Sequence, residues 1–265
     1  MKEILSTQNP HLIDAAGLRD NRIRKKSSFF SVEGAREINR ALATGWILKE
    51  LFYSQELLSK EGEEVTRQAL CPLIRVIPKA FAKLVVRESG DGVYAVFHKK
   101  TKTLADLKPG ACPFYVVVHG IEKPGNLGAI IRSADGAGAH GLILLDEKVD
   151  LYHPQVIRGS LGTVFSLPWV SCGVEEFLGF AKKLTLFGAS LKEPSMVYHR
   201  ADYTGPLGLL FGSEDQGLPK ALLDQVKGVR IPMGGIADSL NVSVAAGILL
   251  YEVGRQRTHG SQPHD

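Results

Sequence analysis

The sequence predicts an α/β protein in two parts: a C-terminal domain built on a mainly parallel sheet, preceded by a small N-terminal α/β domain. Three observations carry this expectation. Strand-like and helix-like patterns alternate along most of the chain, as they do where helices connect parallel strands. The stretch 99–112, KKTKTLADLKPGAC, mixes charge, threonine and Pro-Gly in the manner of a linker. Beyond it the pattern restarts at 114–118 with FYVVV, a continuous apolar run of the kind buried on both faces of a sheet. The expected division is therefore 1–106, 107–257 and a loose tail over 258–265. A chain of 265 residues with 44% hydrophobic content is comfortable for two packed cores.

The elements follow in order. In the first part, residues 10–20 read as a helix, 31–33 as a short extended piece, and 35–44 as a helix that Gly45 stops. A strand over 47–53, a polar-faced helix over 55–70, a strand over 73–77 and a helix over 79–88 follow. The last strand of this part, 93–98, alternates Val, Tyr, Ala, Val and Phe. In the second part, strands are expected at 114–118, 142–145, 184–189, 207–211 and 229–231. Helices are expected at 127–137, 154–161, 174–183, 218–226 and 240–257.

Charge is unevenly shared. Residues 1–106 hold 18 Lys+Arg against 13 Asp+Glu, whereas the remainder is close to neutral. Arg19, Arg22, Arg24, Lys25 and Lys26 fall within eight residues opposed only by Asp20, and Phe29 and Phe30 follow. Cations beside aromatics suit a polyanion with exposed bases, such as RNA. A solvated helix end followed by a strand with buried Phe is the plain alternative. Cys71, Cys112 and Cys172 have neither metal-ligand spacing nor a paired framework, and are read as buried thiols. No apolar run reaches the roughly 20 residues of a membrane span, and the first residues lack a signal-peptide core. A cytoplasmic location is the default expectation.

One motif is a decoy. Gly136, Gly138 and Gly141 spell G-x-G-x-x-G, but a dinucleotide fingerprint needs a strand before the glycines and a helix after them. Here the order is reversed, so these glycines end a helix and turn it into the sheet. Three other segments hold the chemistry. In 120–141, Asn126 opens a helix that also carries Arg132, whose guanidinium suits phosphate or a developing oxyanion. In 209–219, Gly212 ends a strand and Glu214 sits in the turn after it. In 231–257, Ile231-Pro232-Met233 leaves a strand, and Ser239-Leu240-Asn241-Val242-Ser243 begins a largely apolar helix that Asp238 or Ser239 would cap. Each segment by itself is also consistent with a helix cap and a turn.

Together, in this order and spacing, they resemble the SpoU (TrmH-like) branch of the SPOUT superfamily, the RNA 2′-O-ribose methyltransferases that use S-adenosyl-L-methionine (AdoMet). The resemblance covers 113–257. More loosely, Phe30-Ser31-Val32-Glu33-Gly34 ahead of a helix resembles that family's RNA-binding domain, a sandwich akin to small ribosomal proteins. The resemblance implies a SPOUT α/β knot, with a deep trefoil in place of an ordinary doubly wound sheet, and a homodimer with no metal. It also implies AdoMet held at Gly212, Ile231, Met233 and Leu240, with Asn126, Arg132, Glu214, Ser239 and Asn241 acting on a ribose. Ribosomal RNA is favoured over transfer RNA as the substrate. A catalytically silent RNA-binding or assembly factor of the same fold is the alternative. A phosphate-ligand enzyme would carry a Walker-type Gly-Lys-Ser/Thr, and the sequence has none.

Overall fold

A computed structural model describes residues 2–86, 90–107, 110–190 and 194–259. The first half runs β1 (Lys2–Ile4), α1 (Pro10–Gly17), α2 (Asn21–Lys26), β2 (Phe29–Glu33), α3 (Ala35–Ala43), β3 (Leu48–Tyr53), α4 (Lys60–Gln68), β4 (Leu73–Val76), α5 (Pro78–Phe81) and β5 (Val93–His98). There follow β6 (Phe114–His119), α6 (Pro124–Gly136), β7 (Gly141–Leu145), α7 (Pro154–Gly159), β8 (Trp169–Cys172), α8 (Val174–Phe180), β9 (Thr185–Ala189), β10 (Ser195–Val197), β11 (Leu207–Phe211), α9 (Lys220–Leu223), β12 (Lys227–Arg230) and α10 (Val242–His259).

The chain divides into two units. The first holds Met1–Thr101 together with Asp150–Ser166. Its five strands lie in the order β1-β4-β3-β5-β2, with β3 and β5 antiparallel and β3 and β4 parallel. Leu12, Phe52, Ile74, Phe81 and Tyr94 form a core with α1 and α5. Residues 150–166, which the sequence assigned to the second domain, complete this unit by burying aromatic rings. Tyr152 lies 4.4 Å from Phe30 and Phe165 lies 5.4 Å from Trp46, and pairs of this kind add about 0.5–1.5 kcal/mol each beyond their area. The indole N–H of Trp46 donates to the Phe165 carbonyl at 3.1 Å.

The second unit holds Lys102–Val149 and Leu167–Asp265. Its seven strands are all parallel, in the order β10-β12-β9-β11-β6-β7-β8. The first strand in sequence, β6, is internal, so successive strands are added first on one side of it and then on the other. Such a reversal opens a crevice at the carboxyl ends of the strands.

Several expectations shift in detail. The helix expected over 55–70 is a 3₁₀ turn at Gln55–Leu57 followed by α4, whose start Ser59 caps through its hydroxyl. The helix expected over 79–88 shortens to α5, and its residues 87–88 lie outside the described residues. At the C-terminus α10 runs to His259, two residues into the expected tail, and 260–265 lie outside the described residues. Of the G-x-G-x-x-G glycines, Gly136 ends α6, Gly138 turns the chain at φ +74° and Gly141 opens β7. The three cysteines are free, and half-buried where the sequence suggested full burial. Burial pushes the Cys71 and Cys172 thiols up to about 11.

Candidate active site

The carboxyl ends of β9, β11 and β12 open into a cleft of about 510 Å³. Its wall begins where β11 ends. A Cβ on Gly212 would collide with the backbone of Gly217 and Leu218, because the turn after β11 folds back on itself. Gly217 N–H donates to the Ser213 carbonyl at 2.9 Å, and Gly217 takes φ +69°, a conformation that favours glycine. Gly212 is thus bare to admit the chain's own turn, which then lines the cleft. Gly212, Ile231, Met233 and Leu240 all line it, as do Ser239 and Glu214.

Next to the cleft the three motif segments meet. Asn126 Nδ2 donates to Glu214 Oε1 at 2.5 Å, and Asn241 Nδ2 donates to Asn126 Oδ1 at 3.2 Å. Asn126 was expected to cap α6, but Pro124 takes the first helical position and Lys123 the cap, as proline's fixed φ favours. The Asn126 amide therefore spans two other segments. Likewise α10 is capped by neither Asp238 nor Ser239. Asn241 caps it, with Oδ1 accepting the Ser243 N–H at 2.9 Å.

Arg132 stands apart from this group. It lies six residues beyond Asn126 on α6, about 120° around the axis and roughly 9 Å along it, and it is not among the residues lining the cleft. It is exposed and has no hydrogen bond or ion pair among the described residues. One turn further on, Gly136 lies against the hydroxyl of Tyr251, which is 59% exposed, and α10 also exposes Val244.

The basic stretch needs a correction. Arg24 is fully buried, so it cannot meet a phosphate. Its Nε donates to Asp150 Oδ2 at 2.5 Å, and Nη1 donates to the carbonyls of Leu18 and Arg19. Arg19 is half-buried and spends its guanidinium on the carbonyls of Ala16, Lys83 and Val85. Arg22, Lys25 and Lys26 remain exposed on α2, which Asp20 caps. The sequence reading missed Lys123, an exposed cation lining the cleft. Its position directly before Pro124 and three residues before Asn126 was the available signal. Among the described residues there is no cluster of three or more His, Cys, Asp or Glu able to hold a metal, and no helix long and apolar enough to cross a membrane.

A wholly parallel sheet with a cleft at its carboxyl edge, apolar side chains, abundant main chain and an amide–carboxylate chain on one side defines an α/β enzyme domain. A cleft of this volume is of the size that organic ligands occupy, since such sites span about 300–1,000 Å³. Residues 113–251 match the SpoU rRNA Methylase family, and residues 9–95 match the MRM3-like substrate binding domain. The chain belongs to the SpoU family. It is 36% identical over 250 residues to the 23S rRNA (uridine(2479)-2′-O)-methyltransferase of Streptomyces viridochromogenes, covering 89% of this chain and 86% of that one. A crystal structure of an RNA 2′-O ribose methyltransferase is 40% identical with a TM-score of 0.85, covering 97% and 99% of the two chains. The AdoMet-bound rRNA methyltransferase from Sinorhizobium meliloti is 32% identical with a TM-score of 0.87, covering 96% and 97%.

Proposed function

We propose that this protein transfers the methyl group of AdoMet to a ribose 2′-hydroxyl of 23S ribosomal RNA. The observation that carries this reading is the hydrogen-bonded chain Glu214–Asn126–Asn241 beside the cleft at the ends of β11 and β12.

The cleft fits AdoMet in kind. Main chain at Gly212, Ile231 and Leu240 supplies amide donors and acceptors for an adenosine and an amino acid, and Met233, Leu240 and Leu218 offer apolar surface to a purine. When bound, AdoMet supplies an electrophilic methyl on a sulfonium, an excellent leaving group. The chain's own work is then to orient the ribose and to manage its proton. Asn126, Asn241, Ser239 and Glu214 present amide donors, a hydroxyl and a carboxylate along one edge of the cleft, which is the set needed to grip a diol.

Arg132 holds an RNA phosphate and stabilises the alkoxide as the hydroxyl proton passes to water and the methyl leaves the sulfonium, which departs as a neutral thioether. Because its own helix carries it away from this cleft, we infer that it serves the cleft of a second copy in a homodimer. The exposed Tyr251 and Val244 on α10, the helix that packs on α6, support that arrangement. In the N-terminal unit, Arg22, Lys25 and Lys26 contact the RNA backbone.

The test is transfer of labelled methyl from AdoMet to RNA lacking the modification, followed by mapping of the ribose-methylated nucleotide. Label in one ribose of 23S rRNA is the expected result. AdoMet binding without transfer to any RNA would leave a silent RNA-binding factor in its place.

A further inference from the structure

We propose that Ser243 is a positioning residue that fixes the orientation of Asn241, the far end of the amide chain that ends on Glu214. The proposal rests on the methyl-transfer reading above and adds a residue that does not itself line the cleft. An asparagine amide has a donor end and an acceptor end of nearly the same shape, so rotation by 180° exchanges their roles without changing the packing. Something must choose between them. At Asn241 the choice is made by Ser243, whose N–H donates to Oδ1 at 2.9 Å and whose hydroxyl donates to the same oxygen at 2.6 Å.

With that oxygen doubly engaged, the NH₂ end of Asn241 is the one that faces Asn126. It donates to Asn126 Oδ1, and so the NH₂ end of Asn126 faces Glu214. Lys123 holds the cap of α6, so the Asn126 side chain is not engaged there, and the Glu214 carboxylate, which accepts, draws its NH₂ end from the far side. The two amides are therefore held in one direction from both ends, by the two donors of Ser243 at the start of α10 and by the carboxylate of Glu214. Turning either amide alone would set oxygen against oxygen at one of its junctions and nitrogen against nitrogen at the other. Removing the Ser243 hydroxyl leaves the backbone N–H to cap α10, so the helix survives while the bias on Asn241 weakens.

The experiment uses the full chain with Ser243→Ala, Ser243→Thr and Asn241→Asp. Steady-state methyl transfer to 23S rRNA is read beside AdoMet affinity by titration calorimetry, thermal unfolding, and the side-chain amide ¹⁵N–¹H resonances of Asn126 and Asn241. For Ser243→Ala we expect kcat to fall about five-fold, the loss of one of two hydrogen bonds to one oxygen. The AdoMet Kd and the melting temperature should be unchanged, both resonances should shift, and Ser243→Thr should restore all of these. Asn241→Asp still accepts from Ser243 but faces Asn126 with an oxygen, and it should lower kcat further than Ser243→Ala does.

Unshifted resonances in Ser243→Ala, or a kcat equal to that of the unsubstituted protein, overturn the proposal. So does a loss that follows the melting temperature and is not rescued by threonine. An unsubstituted protein that transfers no methyl overturns the functional reading instead, and the resonances still decide the role of Ser243.

Discussion

Replacing Asp150 by asparagine isolates the ion pair that completes the N-terminal unit. Arg24 has no exposed surface, and its Nε faces Asp150 Oδ2 while its Nη1 is held by two carbonyls. Asparagine preserves the shape, and its oxygen can still accept the Tyr152 N–H that Asp150 accepts at 2.8 Å. What then meets Arg24 is an NH₂ group, a donor against a donor, with a buried positive charge left uncompensated. Breaking a buried pair from one side costs about 3–5 kcal/mol. At roughly 2–4 °C per kcal/mol for chains of this size, melting should drop by about 10 °C.

The two tryptophans, Trp46 and Trp169, fall one in each unit. With Trp169→Phe as background, Trp46 fluorescence therefore reports the N-terminal unit alone. Removing both charges in Arg24→Met/Asp150→Leu should recover part of the loss, because an apolar pair avoids the desolvation of two ions but leaves the Tyr152 N–H and the Leu18 and Arg19 carbonyls without these partners. That double variant should also bind RNA with unchanged affinity and salt dependence. Asp150→Asn melting within about 2 °C of the parent would refute the reasoning, and weaker RNA binding by the double variant would return Arg24 to the RNA-contacting set.

Gly212→Ala drives a methyl group into the Gly217–Leu218 backbone and should abolish AdoMet binding in calorimetry; a normal titration curve would show that the turn yields. Arg132→Ala should lower methyl transfer about 100-fold or more with AdoMet affinity intact, and full transfer would remove Arg132 from the mechanism. Arg22→Ala/Lys25→Ala/Lys26→Ala should weaken RNA binding and flatten its salt dependence by about one unit of slope per lost phosphate contact, leaving AdoMet binding alone. Burial, aided by Arg24 at His153 and Arg257 at His140, holds both imidazoles below their ordinary range. The unfolded chain therefore binds more protons than the folded one just below pH 6.5, and stability should fall as pH drops through that window. His153→Asn, which keeps an acceptor for the Gln155 N–H, should reduce the drop seen in melting temperature between pH 7.5 and 5.5.

What could be read in the sequence depended on range. Strands β6 and β11 were legible because five consecutive residues of each are buried. Strands β1, β8 and β10 span only three or four residues each, too few for a period to register. The meeting of Asn126, Glu214 and Asn241 followed from motif order, although the bonds that join them did not. Local rules misplaced two caps, since Pro124 claimed the helix start that Asn126 was expected to open, and Asn241 outcompeted Asp238 and Ser239. Arg24 was beyond local reasoning altogether: its partner is 126 residues away, and no pattern around an arginine in a basic run announces a buried carboxylate so distant.

That separation also fixes an order of events during synthesis. Domains generally fold as they emerge, N-terminal first, yet this N-terminal unit lacks part of itself until residue 166 has left the ribosome. Before then Arg24 has no counter-charge, and Phe30 and Trp46 have no Tyr152 or Phe165 to cover them. By that time the residues of β6, α6 and β7 of the other unit have been made as well. The unit that comes first in the chain is thus closed by a strip drawn from the middle of the second, and cutting the protein at the linker would strand that strip with an orphaned carboxylate and two bare rings.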